Sequence, residues 1–203
     1  MKKILMVLCV LAICVTGYGE EKKVDEQGKP EKEKPDYRSV IVEAWLLRVD
    51  ANAIQKSGVQ PLSEKENGTV TLKNLAWCLS EPNSMNMITS ARIQTASKEQ
   101  TETRSEKKEY IKEEFKNGFK FTPYSSRTSF KGLPEILDDK HIRMEYSFYS
   151  DNFFTTEPNV PAGENDISFA NIIKIPIKKP IISGQVQIGN YMFFLIMRSD
   201  IVE

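Results

Sequence analysis

The chain has 203 residues, and its 28 Lys and Arg are matched by 28 Asp and Glu, so its formal charge at neutral pH is zero. Binding to a phosphate backbone needs a basic excess gathered on one face, and this balance argues against nucleic acid as the main partner. Of the three cysteines, Cys9 and Cys14 lie in the first twenty residues, which leaves Cys78 without an internal partner once that segment is removed.

The opening MKKILMVLCVLAICVTGYGEE has the parts of an export signal: Lys2 and Lys3, an apolar run from Ile4 to Val15, then small residues at Gly17 and Gly19. Residues 1–19 are therefore expected to be a signal peptide. The run falls short of the roughly 20 apolar residues that cross a bilayer as a helix. Cys14 after Leu11-Ala12-Ile13 resembles a lipoprotein acylation site, but the bulky Ile13 stands where a small residue is expected, and a lipid anchor is the minority alternative. Residues 20–37, EEKKVDEQGKPEKEKPDY, are nearly all charge and proline and read as a disordered linker. Residues 38–203 are enough for one domain with a core.

In that domain, Ser39 to Asp50 (SVIVEAWLLRVD) is apolar on both faces for part of its length and reads as a buried central strand. ANAIQKSGV after it can form one helical turn ending at Gly58, and Asn67-Gly68 is a tight-turn signal. TLKNLAWCLS, residues 71–80, places Leu72, Leu75, Ala76 and Leu79 at helical spacing before Pro82 and predicts the main helix. NMITSARIQT, from Asn86, returns to a β pattern. Ser97 to Lys116 fits either a solvated helix or exposed hairpin strands, and strands are favoured. The runs FKFTPY, HIRMEYSFYS, ISFANIIKIPI, PIISGQVQI and YMFFLIMRS follow, separated by Gly, Pro, Asn and Asp. The expected fold class is α+β, mostly β: an antiparallel or mixed sheet with one main helix.

Candidate chemistry is thin. His141 is the single histidine and follows Asp138 and Asp139, so a metal or proton-transfer site would need these three with Glu135; a charged turn entering a strand is the simpler reading. No Gly-x-Ser-x-Gly elbow and no phosphate-binding glycine loop is present, and Gly184 and Gly189 read as flanks of the strand QVQI. Cys78, beside Trp77 and Leu79, reads as packing. Lys174, Lys178 and Lys179 with Pro176 and Pro180 form either a basic binding strip or the guards of an edge strand, the second favoured. Tyr191 to Met197 is either the core strand or a subunit contact, with core favoured. No catalytic, cofactor-binding or metal residue is assigned, and no cofactor is expected.

Taken in order, SVIVEAWLLRVD, Ile54 to Val59, LKNLAWCLS, Ile88 to Thr95 with Ala91 where proline is common, GFKFTP from Gly118 to Pro123, HIRMEYSFY and QVQIGNYMFFLIM resemble the C-terminal homology domain of the secretins. These are ring-forming channel proteins of type II and type III secretion and of pilus systems. The modules that usually precede that domain and the glycine- and proline-rich segment that usually follows it are not in this sequence. The resemblance implies a non-catalytic exported protein of the periplasm or cell envelope. It would act through protein partners or self-assembly, with peripheral envelope association, rather than form a channel alone. The alternatives are an exported hydrolase drawing on Glu43, Asp138, Asp139 and His141, and a ligand-binding domain with a sizeable apolar pocket.

Overall fold

Alternating apolar residues at Val40, Val42, Ala44 and Leu46 on one face, and Trp45, Leu47 and Val49 on the other, require the first strand to be covered on both sides. In the computed structural model, which describes residues 38–59, 70–80, 85–115, 118–154 and 163–202, that requirement is met by a second sheet on one side and two helices on the other. The expected signal peptide, the linker, the Asn67-Gly68 turn and Pro82 lie outside the described residues.

Among the described residues, eight strands form two antiparallel four-stranded sheets. The first holds β1 (Ser39–Asp50), β2 (Met85–Ala96), β7 (Ile181–Ile188) and β8 (Tyr191–Val202), in the order β2-β1-β8-β7. The second holds β3 (Thr101–Phe115), β4 (Gly118–Asp138), β5 (His141–Phe154) and β6 (Gly163–Pro176), in sequence order. The one parallel contact among the described residues is an isolated bridge between Ile177 and Ser199 that ties the end of β6 to β8. The sheets face each other across a core of Phe130, Met144, Phe148, Ile175, Phe193, Leu195 and Met197, each wholly buried. The YMFFLIM run is thus a core strand, buried continuously from Met192 to Met197 between β1 and β7.

The outer face of the first sheet carries α1 (Ala51–Lys56) and α2 (Leu72–Ser80). Asp50 caps α1 by accepting hydrogen bonds from the amides of Asn52 and Ala53, and Gly58, at φ +92°, turns the chain away, as its glycine signal predicts. At the start of α2, the Thr71 amide donates to Asn74 Oδ1 and the Asn74 amide to Thr71 Oγ1, a reciprocal cap, while the Asn74 side chain also donates to the Ser57 carbonyl at the end of α1. The buried side of α2 centres on Leu75 and Cys78 and not on the Leu72, Leu75, Ala76, Leu79 stripe expected from spacing. Leu79 is 68% exposed, whereas the small thiol of Cys78, one position and about 100° around the helix, is wholly buried.

Two further departures bear on the site. Gly184 does not flank a strand but lies inside β7, at a register shift, with its α-carbon against the Phe169 ring of β6. And β4 is one strand of 21 residues in which Pro123 and Pro134 are both accommodated. Pro123 pairs with Tyr110 beyond the last β5 partner of β4, and Pro134 pairs with Met144 beyond the last β3 partner, so each missing N–H falls on the side where no ladder bond is due.

Candidate functional site

The expected acid and base residues do not converge. His141 Nδ1 lies 3.1 Å from the Asp138 carboxylate in the β4–β5 turn, while Asp139 pairs with Arg38 Nη1 at 2.9 Å. The amide of Lys140 and then the His141 ring hold the Asp138 carboxyl below the usual carboxylate range. Glu135 is engaged by Lys98 at 3.4 Å and Arg143 at 3.3 Å, beside a cavity of about 230 Å³. Glu43 stands midway along β1, five residues, or roughly 16 Å of strand, from Arg38. It lines a separate cavity of about 210 Å³ with Arg92 and Arg198, its neighbours on either side. Among the described residues no group of three or more His, Cys, Asp or Glu could hold a metal ion. Cys78 is buried and serves packing; Lys174 lies on β6, an outer strand of its sheet, and Lys178 and Lys179 lie in the turn after it.

What the fold leaves open is backbone. β2 and β7 are the outer strands of the first sheet, and β3 and β6 those of the second. From Pro180 to Met197 there is no charged residue, and β2 holds one, Arg92. Natural edge strands are normally blunted by charge, proline or cover; among the described residues β7 carries no charge and β2 only Arg92. Beside β7 runs an apolar groove of about 470 Å³, lined by Val70, Thr71, Leu72 and residues 180–185.

The second feature is an arm. β3 pairs with β4 from Thr101–Gly132 out to Phe115–Gly118, but β5 joins β4 only from Arg127 onward. Residues 118–126 therefore continue as a two-stranded ribbon for roughly 30 Å. The register places Tyr110 opposite Pro123, Lys112 opposite Phe121 and Glu114 opposite Phe119, so Tyr110, Phe119 and Phe121 share one face. They are 70%, 61% and 56% exposed, and the two phenylalanine rings meet edge to face at 5.4 Å. That face is continuous with the outward, polar side of the second sheet, where Arg127, Ser129 and Lys131 follow at the same parity. Neither the arm nor its aromatic face is part of the expectation from sequence; the alternation Phe119, Phe121, Pro123 after Gly118 is the signal that carries it.

No family model matches the chain, and no curated protein matches it. Solved structures do. The fold is similar to secretin domains. InvG, the secretin of the Salmonella SPI-1 type III secretion injectisome, matches 82% of this chain and 61% of its own at 9% identity and a TM-score of 0.49. PilQ, the type IV competence pilus secretin of V. cholerae, matches 82% and 61% at 11% identity and 0.43. GspD, the type II secretion system secretin of E. coli K12, matches 82% and 51% at 13% identity and 0.45. This chain thus spans between about half and three fifths of the secretin chains in these structures.

Proposed function

We propose that this protein is an exported, non-catalytic module of the cell envelope that works by assembly, joining copies of itself or the protein components of a secretion or pilus apparatus through its open sheet edges. The observation that carries the reading is the pair of charge-poor outer strands, β2 and β7, at opposite ends of one antiparallel sheet. An edge with unpaired amides and carbonyls is a template for another strand, and two such edges on one subunit make a head-to-tail contact that can close into a ring. The arm supports the same reading, because a two-stranded ribbon is marginal alone in water and gains from a neighbour or an apolar surface. Its aromatic face gives the module a means of resting against the envelope. The element order from β1 to β8 resembles that of the secretin homology domain, in keeping with this role.

The separation of Glu43 from Asp138 and His141 takes away the support for a hydrolase drawing on them. The groove beside β7 would serve a ligand-binding role only in part, since one of its walls is an outer strand that can pair with another strand instead. The test is to guard both edges with Met87→Lys and Val186→Lys, at positions 63% and 37% exposed. The doubly guarded chain should keep its circular dichroism spectrum and lose its self-association; unchanged assembly would remove these edges from the contact.

A further inference from the structure

The cross-strand pair of Arg127 and Asp151 is the outermost between β4 and β5; past it, the arm departs with β3 as its remaining ladder partner. At this junction the Asp151 side chain is 1% exposed. Its Oδ2 accepts from Arg127 Nη2 at 3.2 Å and Nε at 3.4 Å, and its Oδ1 accepts from the hydroxyl of Tyr124. Arg127 belongs to the base, whereas Tyr124 lies three residues out, on the arm itself. A buried carboxylate is costly to leave without donors, so any motion that parts Tyr124 from Asp151 is opposed by the desolvation of that charge.

The surroundings make the carboxylate's place clear. Across the second sheet the row reads Glu106, Arg127, Asp151, Asp166, with two acids directly opposite each other on β5 and β6. Such a pair repels unless each is otherwise engaged. Asp166 is engaged by the Tyr149 hydroxyl at 2.9 Å, and Asp151 by Arg127 and Tyr124. The adjacent Thr128 hydroxyl lies 2.9 Å from that of Thr89 and fastens the same base to β2 of the other sheet. The base of the arm is thus anchored to both sheets, and Tyr124 bonds the arm, beyond the end of the β4–β5 ladder, to the end of that ladder.

We propose that Asp151 is a latch that holds the β3–β4 arm at one angle to the sandwich, with Tyr124 as its arm-side contact and Arg127 as its counter-ion. The latch sets the direction in which Tyr110, Phe119 and Phe121 are presented. Nitroxides attached to ketone-bearing residues introduced at Lys120 and Lys174, on the arm and on β6, measure the angle as a distance distribution in the full chain. The parent should give one narrow distribution, and Asp151→Asn and Tyr124→Phe should each widen it by at least about twofold. Tyr124→Phe keeps the Arg127–Asp151 pair, so it decides the matter if Asp151→Asn fails to fold. A lowered urea midpoint with the parent's narrow distribution in Tyr124→Phe would mean that Asp151 props the fold without aiming the arm, and would overturn the proposal.

Discussion

Gly184→Ala tests how closely the two sheets approach at the β6–β7 crossing. A β-carbon built on Gly184 would lie 2.5, 3.0 and 3.1 Å from Cδ1, Cε1 and Cγ of Phe169, against an ordinary carbon–carbon contact of about 3.5–4.0 Å. The ring has to retreat by about 1 Å, and Phe169 is packed against the main core, with only two side-chain torsions to adjust. Overpacking of this kind costs about 1–3 kcal/mol, and alanine returns about 0.5 kcal/mol of the entropy that glycine loses in a strand. The net loss should be about 1.5 kcal/mol, a fall in Tm of about 3–6 °C for a domain of this size. Urea unfolding should show a lower midpoint at constant slope. Phe169→Leu in the same chain should relieve the clash, giving a coupling of at least about 1 kcal/mol in a double-mutant cycle. A neutral Gly184→Ala, or one whose cost ignores Phe169→Leu, would refute the close approach.

Tyr146→Phe removes the hydroxyl that donates to the Ser183 carbonyl at 2.8 Å, a link between β5 and β7 across the sandwich, and should cost about 1 kcal/mol by urea unfolding. Acid should destabilise the fold through Glu102, held low by Arg104 and then Ser129, and Asp138, held low by the Lys140 amide and then His141. Both carboxylates bind protons more weakly folded than unfolded, so their contribution is present above the ordinary values of 4.5 and 3.8 and lost as pH falls through the lowered ones. The urea midpoint of Glu102→Gln/Asp138→Asn should therefore fall less steeply than the parent's between about pH 6 and about pH 3. Phe119→Ser/Phe121→Ser, at two exposed arm positions, should leave the thermal midpoint in place and weaken flotation with phospholipid vesicles by at least about tenfold, equivalent to roughly 1.4 kcal/mol of apolar burial.

The strands were legible where packing leaves no choice. Tyr191 to Met197 has no polar face to give to water, and Ser39 to Asp50 is apolar on both sides where a helix pair and a sheet both cover it. The charged β3 was legible as strand only by preference, because its Glu and Lys spacing also suits a helix and what decides is the ladder with β4. Three features depend on tertiary context that local pattern does not carry. The buried side of α2 is chosen by what fits against Met192 and Phe194, and a small Cys78 fits where Leu79 does not. The prolines of β4 break a strand in local terms and are harmless only because β3 and β5 cover different stretches of it. Gly184 reads as a flank of the strand QVQI until Phe169 is brought onto it from another sheet. The candidate site followed the same division: the lack of charge from Pro180 to Met197 can be read directly, but that β7 ends up as an outer strand, and that Asp151 is buried between Tyr124 and Arg127, follows from topology.

The mass of the protein in solution, by light scattering over a range of concentrations, tests assembly most directly. A multimeric mass that falls to that of a single chain in the Met87→Lys/Val186→Lys variant is the predicted result. A parent that remains a sharp monomer at every concentration and captures no envelope protein would contradict it.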